Sequence, residues 1–259
     1  MANGITTKPP SLLPREHGAY AQLSIALVAA LALVPLSGRA WGQALASALV
    51  FVASEPALVL LGRRGEAAKT QALRPARRRL LLCGGLLLLA LLAWSGTTFL
   101  QKISVLPSLM AGAALMGLFL ARREHSTAGE LLGATAFSFA ALPVVILGGL
   151  APAKALTLAL GLTALNGLGT ILVRGFLASL KRGNARWPRT FAVGAGLGLS
   201  VGALASPLPW LLGLAPLPLL AASAWVMVAP PSPRSLRTVG WILTAGSALG
   251  ALALVITLH

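Results

Sequence analysis

The chain has 259 residues, of which 57% are hydrophobic and only 10% are charged. Because soluble proteins carry about 25% charged residues, this composition leaves little room for a soluble domain and predicts a protein embedded in a membrane. The 21 Lys and Arg greatly outnumber the 5 acidic residues, but they lie between apolar runs and aromatic residues make up only 5%; the excess therefore indicates loops that face anionic lipid, and nucleic acid is not an expected partner.

Apolar runs that can cross a bilayer follow one another along the chain. A membrane-spanning helix needs about 20 apolar residues to cross about 30 Å of hydrocarbon. The predicted spans are 19–36, 41–61, 80–94, 103–121, 131–150, 155–173, 191–205, 209–228 and 239–258. The sequence therefore predicts an all-α, polytopic membrane helical bundle of about nine transmembrane helices, forming a single transmembrane domain over 1–259.

The basic residues are divided unequally between alternate loops. If the N-terminus lies inside, 17 of them fall in inside segments and 3 in outside segments, while Arg174 falls at the inner end of the sixth span. Because basic loops stay on the cytoplasmic side, this bias predicts an N-in, C-out membrane protein. The longest inside segment, 62–79, is predicted to be a basic amphipathic loop on the inner surface, broken at Pro75.

One tripeptide occurs twice. Arg15-Glu16-His17 precedes the first span and Arg123-Glu124-His125 precedes the fifth, in a chain with only 5 acidic residues and 3 His. A basic segment, 62–79 or 181–189, also follows the second span after each copy. The pattern predicts a parallel repeat of four plus four spans, with halves 14–121 and 122–230 and one appended helix. The alternative is that the tripeptide recurs by chance in an Arg-rich chain.

The two tripeptides are the first candidates for chemistry. Their acidic and imidazole groups could bind a divalent metal such as Zn²⁺, Mn²⁺ or Fe²⁺. They could instead act as acid–base groups beside a phosphate held by Arg15 and Arg123 at two helix N-termini. The structural alternative is that the carboxylates only offset the helix dipoles. The metal candidates, which are also candidate catalytic residues, are Glu16, His17, Glu124 and His125.

Glu55 is the fifth candidate catalytic residue, because it lies within the second span and is followed by Pro56. A carboxylate at membrane depth costs about 2–3 kcal/mol on insertion scales, so such a residue usually faces a bundle interior or a cavity. Two interpretations remain open. Glu55 lines a cavity as a ligand-binding group or proton acceptor, or it forms a structural ion pair with Arg174 or Arg15.

Two further polar residues lie in the sixth span and are candidate ligand-binding residues. Asn166 lies at mid-span, where the favoured interpretation is an interhelical hydrogen bond. Arg174 either extends to the membrane interface or points inward at an anionic ligand. In contrast, Thr127 and Glu130 match the Thr-x-x-Glu capping box, which predicts a purely structural role at the start of the fifth span.

The segment Pro14 to Tyr20, PREHGAY, resembles the signature Pro-Arg/Lys-Glu/Gln-His-Gly-Ala-Trp of the YwiC-like family of bacterial membrane proteins, with Tyr20 in place of Trp. The stretch 122–141 is similar to a second recognisable region of that family. The resemblance implies a polytopic fold in the bacterial cytoplasmic membrane over about the first two-thirds of the chain, and no particular reaction. A weaker, fold-level likeness to UbiA prenyltransferases implies nine helices, but the chain lacks the Asp-rich motifs with which those enzymes bind Mg²⁺-diphosphate.

Three functions fit these patterns. The first is binding or transformation of a lipid-like ligand with an anionic head group in a cavity at the inner leaflet, where the two tripeptides are predicted to meet above Glu55. The second is transport of a small solute or ion, suggested by intramembrane Glu55, Asn166 and Arg174. The third is an assembly or haem- or quinone-associated subunit in which His17 and His125 ligate one iron. Membrane lipid and an amphipathic small molecule are the expected partners, and the oligomeric state is open.

Overall fold

The computed structural model describes residues 11–14, 17–123, 125–180, 194, 196, 214–228 and 236–259. Within these ranges all regular structure is helical. The helices with described bounds are α1 (His17–Ala32), α2 (Gly38–Leu60), α3 (Glu66–Leu91), α4 (Phe99–Ile103), α5 (Leu106–Leu120), α6 (Thr127–Phe139), α7 (Ala141–Leu147), α8 (Pro152–Leu180), α9 (Leu217–Val228) and α10 (Leu236–Leu258). The all-α prediction is therefore confirmed.

Several helical segments are long and apolar enough to cross a membrane, which makes the chain a multi-pass membrane protein. In the described part of the chain there are 5: Gly38–Leu60, Phe99–Leu120, Thr127–Leu147, Pro152–Leu177 and Arg237–Leu258. Gly18–Ala32 is a shorter apolar helix. The predicted span 191–205 lies outside the described residues except for 194 and 196. The count of nine spans, the N-in orientation and the repeat therefore stay predictions.

Proline acts differently at two positions. The predicted break at Pro75 is wrong, because α3 continues through it from the basic segment into the apolar one. Ala72 and Ala76, on either side of Pro75, are buried in one cluster with Val59 of α2, and this packing offsets the single backbone hydrogen bond that proline removes. Pro143 does coincide with an interruption: the predicted span 131–150 is divided into α6 and α7 at Ala140.

The centre of the bundle is formed by α1, α7 and α8. Every residue of α7 is buried, and α1 contacts α2, α6, α7, α8 and α10. Ala26 and Ala30 of α1 have 0% exposure in the main core cluster. Apolar side chains gain little free energy when they move from lipid to the protein interior. The helices therefore associate through small side chains that allow close van der Waals contact.

Gly250 is such a contact in α10. A Cβ built there would collide with the backbone carbonyl of Ala215, and it would meet the Leu165 side chain at 3.0 Å. Because a backbone carbonyl cannot rotate away, we expect Gly250→Ala to lower the free energy of unfolding by about 1–2 kcal/mol. Denaturation in mixed detergent micelles measures this change in the free energy of unfolding. Gly240→Ala, in the same helix with open space around it, is the control. An equal or greater loss at Gly240 would contradict the packing.

One end of the bundle gathers the basic residues. α1 and α6 begin there, α2 turns into α3, and α8 ends. Two contacts across helices establish this: the Gln22 amide nitrogen lies 3.2 Å from Thr170 Oγ1, and Arg174 pairs with Glu130. We call it the basic end. The charge bias predicts that it faces the cytoplasm.

Candidate functional site

The two Arg-Glu-His tripeptides lie next to helix starts. α1 begins at His17, and Arg123 and His125 lie in the connection that leads into α6. The other members, Arg15, Glu16 and Glu124, lie outside the described residues, as does the side chain of His17. Convergence of the tripeptides, their metal site and a shared haem therefore stay predictions. Among the residues that the structure describes, no group of three or more His, Cys, Asp or Glu could hold a metal.

Glu55 of α2 is 2% exposed and forms a bidentate ion pair with Arg64. Arg64 Nε donates to Oε1 at 2.8 Å and Nη2 donates to Oε2 at 2.7 Å. The turn after α2 makes this pairing possible, because Gly62 and Gly65 adopt φ angles of 71° and 96°, which disfavour other residues. The chain thus reverses and brings Arg64 back over a carboxylate nine positions earlier.

This geometry changes two of the expectations for Glu55. An ion pair is one of the two interpretations that the sequence leaves open, but Arg174 is not the partner, since Arg174 binds Glu130 instead. Arg15 lies outside the described residues. Both carboxylate oxygens of Glu55 also accept from Arg64. A buried ion pair needs such saturating geometry to offset the loss of hydration. The arrangement favours a structural pair over a free proton acceptor.

Tyr20 connects this pair with Arg79. The Tyr20 hydroxyl interacts electrostatically with both Arg79 and Glu55, and its ring packs edge-on against Phe51 at 4.9 Å between centroids. Arg79 is partly buried. It shares one face of α3 with buried Ala72, Ala76 and Cys83, as the spacing of a helix requires.

We call Tyr20, Glu55, Arg64 and Arg79 the Glu55 cluster. Its members come from α1, α2, α3 and the turn between α2 and α3. Its charged members are two guanidinium groups and one carboxylate. Among the described residues, no hydrogen bond or ion pair engages Arg79.

Arg174 ties the end of α8 to the start of α6. Its Nη2 donates to Glu130 Oε1 at 3.0 Å, its Nη1 donates to Thr127 Oγ1 at 2.9 Å, and it also donates to Glu130 Oε2 and to the backbone carbonyl of His125. All three guanidinium nitrogens are engaged. Because each of these nitrogens already donates a hydrogen bond, Arg174 is better suited to holding α8 against α6 than to binding a ligand.

The predicted capping box at Thr127 and Glu130 is wrong. The capping residue is Ser126, whose Oγ accepts from the Gly129 amide at 3.1 Å, with α6 beginning at Thr127. The helix starts one residue earlier than the capping-box pattern required, because Ser126 and not Thr127 is the capping residue. Glu130 is then free to pair with Arg174 instead of capping.

Asn166 forms the predicted interhelical hydrogen bond. It is 2% exposed, and its Nδ2 donates to Ser138 Oγ of α6 at 2.9 Å. One turn further, Thr170 Oγ1 donates to the Asn166 carbonyl at 2.8 Å and accepts from Gln22 of α1. We call Gln22, Thr170, Asn166 and Ser138 the polar chain. It links α1, α8 and α6 through the bundle interior.

Sequence patterns did not single out several residues of these clusters. Arg64 and Arg79 look like the other basic residues of 62–79. The glycines on either side of the Arg63-Arg64 pair were the one signal for Arg64, because they predict a sharp reversal after a span that carries a buried carboxylate. Arg79 could have been found from its spacing with Ala72 and Ala76. Gln22 and Thr170 carried no signal beyond their polarity.

Comparison with known proteins supplies the family. A family model described as YwiC-like protein matches residues 13–146. No curated protein and no solved structure matches the chain. All members of the Glu55 cluster fall within the matched range, whereas Asn166 and Arg174 lie beyond it. Because the match covers just over half of the 259 residues, this multi-pass membrane protein belongs to the YwiC-like family.

Proposed function

We propose that the Glu55 cluster binds an amphipathic ligand with an anionic head group at the basic end of the bundle. The observation that carries the proposal is the partly buried Arg79, which lies within electrostatic range of Tyr20, as does the Glu55 carboxylate that Arg64 already occupies. The charge bias of the sequence assigns this end to the cytoplasmic leaflet. Such a ligand would enter from the lipid of that leaflet.

The charges of the cluster support an anion. Arg64 neutralises Glu55 through both carboxylate oxygens, so the charge of Arg79 has no paired carboxylate among the described residues. A partly desolvated cation is stabilised by a counter-ion, and a phosphate or carboxylate head group supplies one through charge-assisted hydrogen bonds. The hydroxyl of Tyr20 can donate to the same group.

The Glu55 cluster is proposed to bind a ligand, and no reaction is assigned to it. Proton abstraction by Glu55 would first require Arg64 to release an oxygen. His17 opens α1 three residues before Tyr20 and stays the candidate acid–base group, together with His125 and the two tripeptide carboxylates. Arg15 and Arg123 stay candidates for the same head group.

We expect Arg79→Gln to weaken binding of an alkyl phosphate by about tenfold or more, because a hydrogen bond to a charged group contributes about 1.5–3 kcal/mol. The probe is a fluorescent dodecyl phosphate titrated into the purified full-length protein, with the matching dodecanol derivative as the uncharged reference. Arg237→Gln removes the same charge from an exposed position in α10 that belongs to neither the Glu55 cluster nor α3, so the affinity of this variant should differ from that of the wild type by less than about twofold. Equal weakening in both variants, or no preference for the phosphate, would overturn the proposal.

The polar chain favours transport of a small solute or ion as a second candidate. It runs from Gln22 near the basic end to Asn166 and Ser138 in the buried middle of the bundle. Beyond it, α7 is buried and apolar throughout, so the described residues there add no polar lining. If the wild-type protein carries solute into proteoliposomes and Asn166→Leu abolishes this flux, the function is transport and not ligand binding. If the wild-type protein carries no solute, ligand binding stays the proposed function.

A further inference from the structure

The surface of α3 that does not pack on α2 is basic and then apolar. Arg74, Arg77 and Arg78 are exposed, and Leu81 and Leu82 follow with exposures of 76% and 59%. These five residues line one shallow, wide-open depression of about 500 Å³ along the helix. We call it the α3 groove. It lies opposite the buried face that carries Ala72, Ala76 and Cys83.

We propose that the α3 groove binds the head group of an anionic phospholipid of the surrounding bilayer. Within the described part of the chain, no acidic side chain pairs with any of its three arginines; nearby Glu66 lies 3.7 Å from Lys69. A phosphodiester complements these guanidinium groups in charge and geometry. Basic residues near the end of a membrane-embedded helix attract anionic lipid in this way.

The register of the helix selects a lipid over other anions. Leu81 lies one helical turn beyond Arg77 and Arg78, which is about 5.4 Å along the axis. An acyl chain attached to a head group at the arginines would therefore run along Leu81 and Leu82. A soluble phosphate or a nucleic acid has no acyl chain to occupy the lipid-facing surface of Leu81 and Leu82.

This site is independent of the Glu55 cluster. Arg79 projects from the face of α3 that packs on α2, whereas the groove arginines project from the opposite face, as their positions along the helix require. Two different variants therefore test the two proposals.

A phosphatidylglycerol with a photoreactive acyl chain, titrated into phosphatidylcholine nanodiscs that contain the full-length protein, tests the α3 groove. We expect labelling at Leu81 and Leu82. Combining Arg74→Gln, Arg77→Gln and Arg78→Gln should raise the half-saturating lipid fraction about tenfold or more. The charge-matched control combines Arg182→Gln, Arg186→Gln and Arg189→Gln and should leave labelling of α3 unchanged.

Three results would overturn the proposal: labelling that is absent from α3, labelling that survives in the groove variant, or an equal loss in the charge-matched control. If the groove variant does not fold, the wild-type protein is labelled at increasing salt concentration instead. Salt screens the attraction between the arginines and the lipid phosphate, so labelling at α3 must fall. Arg79→Gln should leave the labelling intact while it weakens dodecyl phosphate binding. Failure of one proposal is thus distinguishable from failure of the other.

Discussion

Arg64→Gln is expected to lower the free energy of unfolding by about 3–5 kcal/mol, the largest loss among the variants considered for this protein. The substitution leaves Glu55, which is 2% exposed, without its partner in the bundle interior. A buried carboxylate that loses a bidentate arginine must be protonated or must draw water into the core, and both responses cost free energy. Denaturation of the purified protein with SDS in mixed micelles measures the loss.

Two further variants isolate the ion pair. Arg63→Gln makes the same change one residue earlier in the same turn, where the side chain is exposed, so it should change stability by less than about 0.5 kcal/mol. Adding Glu55→Gln to Arg64→Gln removes the orphaned charge and should recover part of the loss. If Arg64→Gln and Arg63→Gln are equally stable, or if the double variant is no better than Arg64→Gln alone, the pair does not stabilise the bundle.

The second large effect is expected at Arg174. Arg174→Met removes the hydrogen bonds to Glu130, to Thr127 and to the His125 carbonyl. Its side chain is 28% exposed and that of Glu130 is 36% exposed, so solvent screening reduces the contribution of each bond. We expect a loss of about 2 kcal/mol in the free energy of unfolding, measured by the same denaturation.

Arg174→Lys separates charge from geometry. Lysine keeps the positive charge but cannot reproduce the planar fork that reaches three partners, so its stability should fall between wild type and Arg174→Met. Arg237→Gln, at an exposed position in α10, is the neutral reference. A lysine variant as stable as wild type would show that charge alone matters, and an unchanged Arg174→Met would contradict the tie between α8 and α6.

Arg64 and Arg174 are both arginines near the end of an apolar span, but their ion pairs have different structural roles. The Arg64 pair is local and closes the α2–α3 hairpin, on whose inner face Arg79 lies. The Arg174 pair is long-range and holds the connection that carries the second tripeptide. Both pairs therefore position the segments in which ligand binding is proposed, without being free to bind the ligand themselves.

The sequence by itself determined the class of protein, the family and the all-helical fold class. These properties depend on the length of apolar runs, on overall composition and on a short motif before α1, all of which can be read along the chain. The hydrogen bond of Asn166 was also predictable, because a lone amide in an apolar span has few ways to be satisfied.

Only the tertiary structure decided which charges meet. Seven basic residues within 62–79 are equivalent by composition. The turn at Gly62 and Gly65 directs Arg64 onto Glu55. The packing of α3 on α2 decides that the face carrying Arg79 lies inward and the face carrying Arg77 lies outward. Likewise, a shift of one residue at the start of α6 released Glu130 from its predicted cap to pair with Arg174 on a distant helix. Ion pairs depend on distances of a few ångströms between separate elements, and such distances are set by turns and helix packing, which composition and periodicity do not encode.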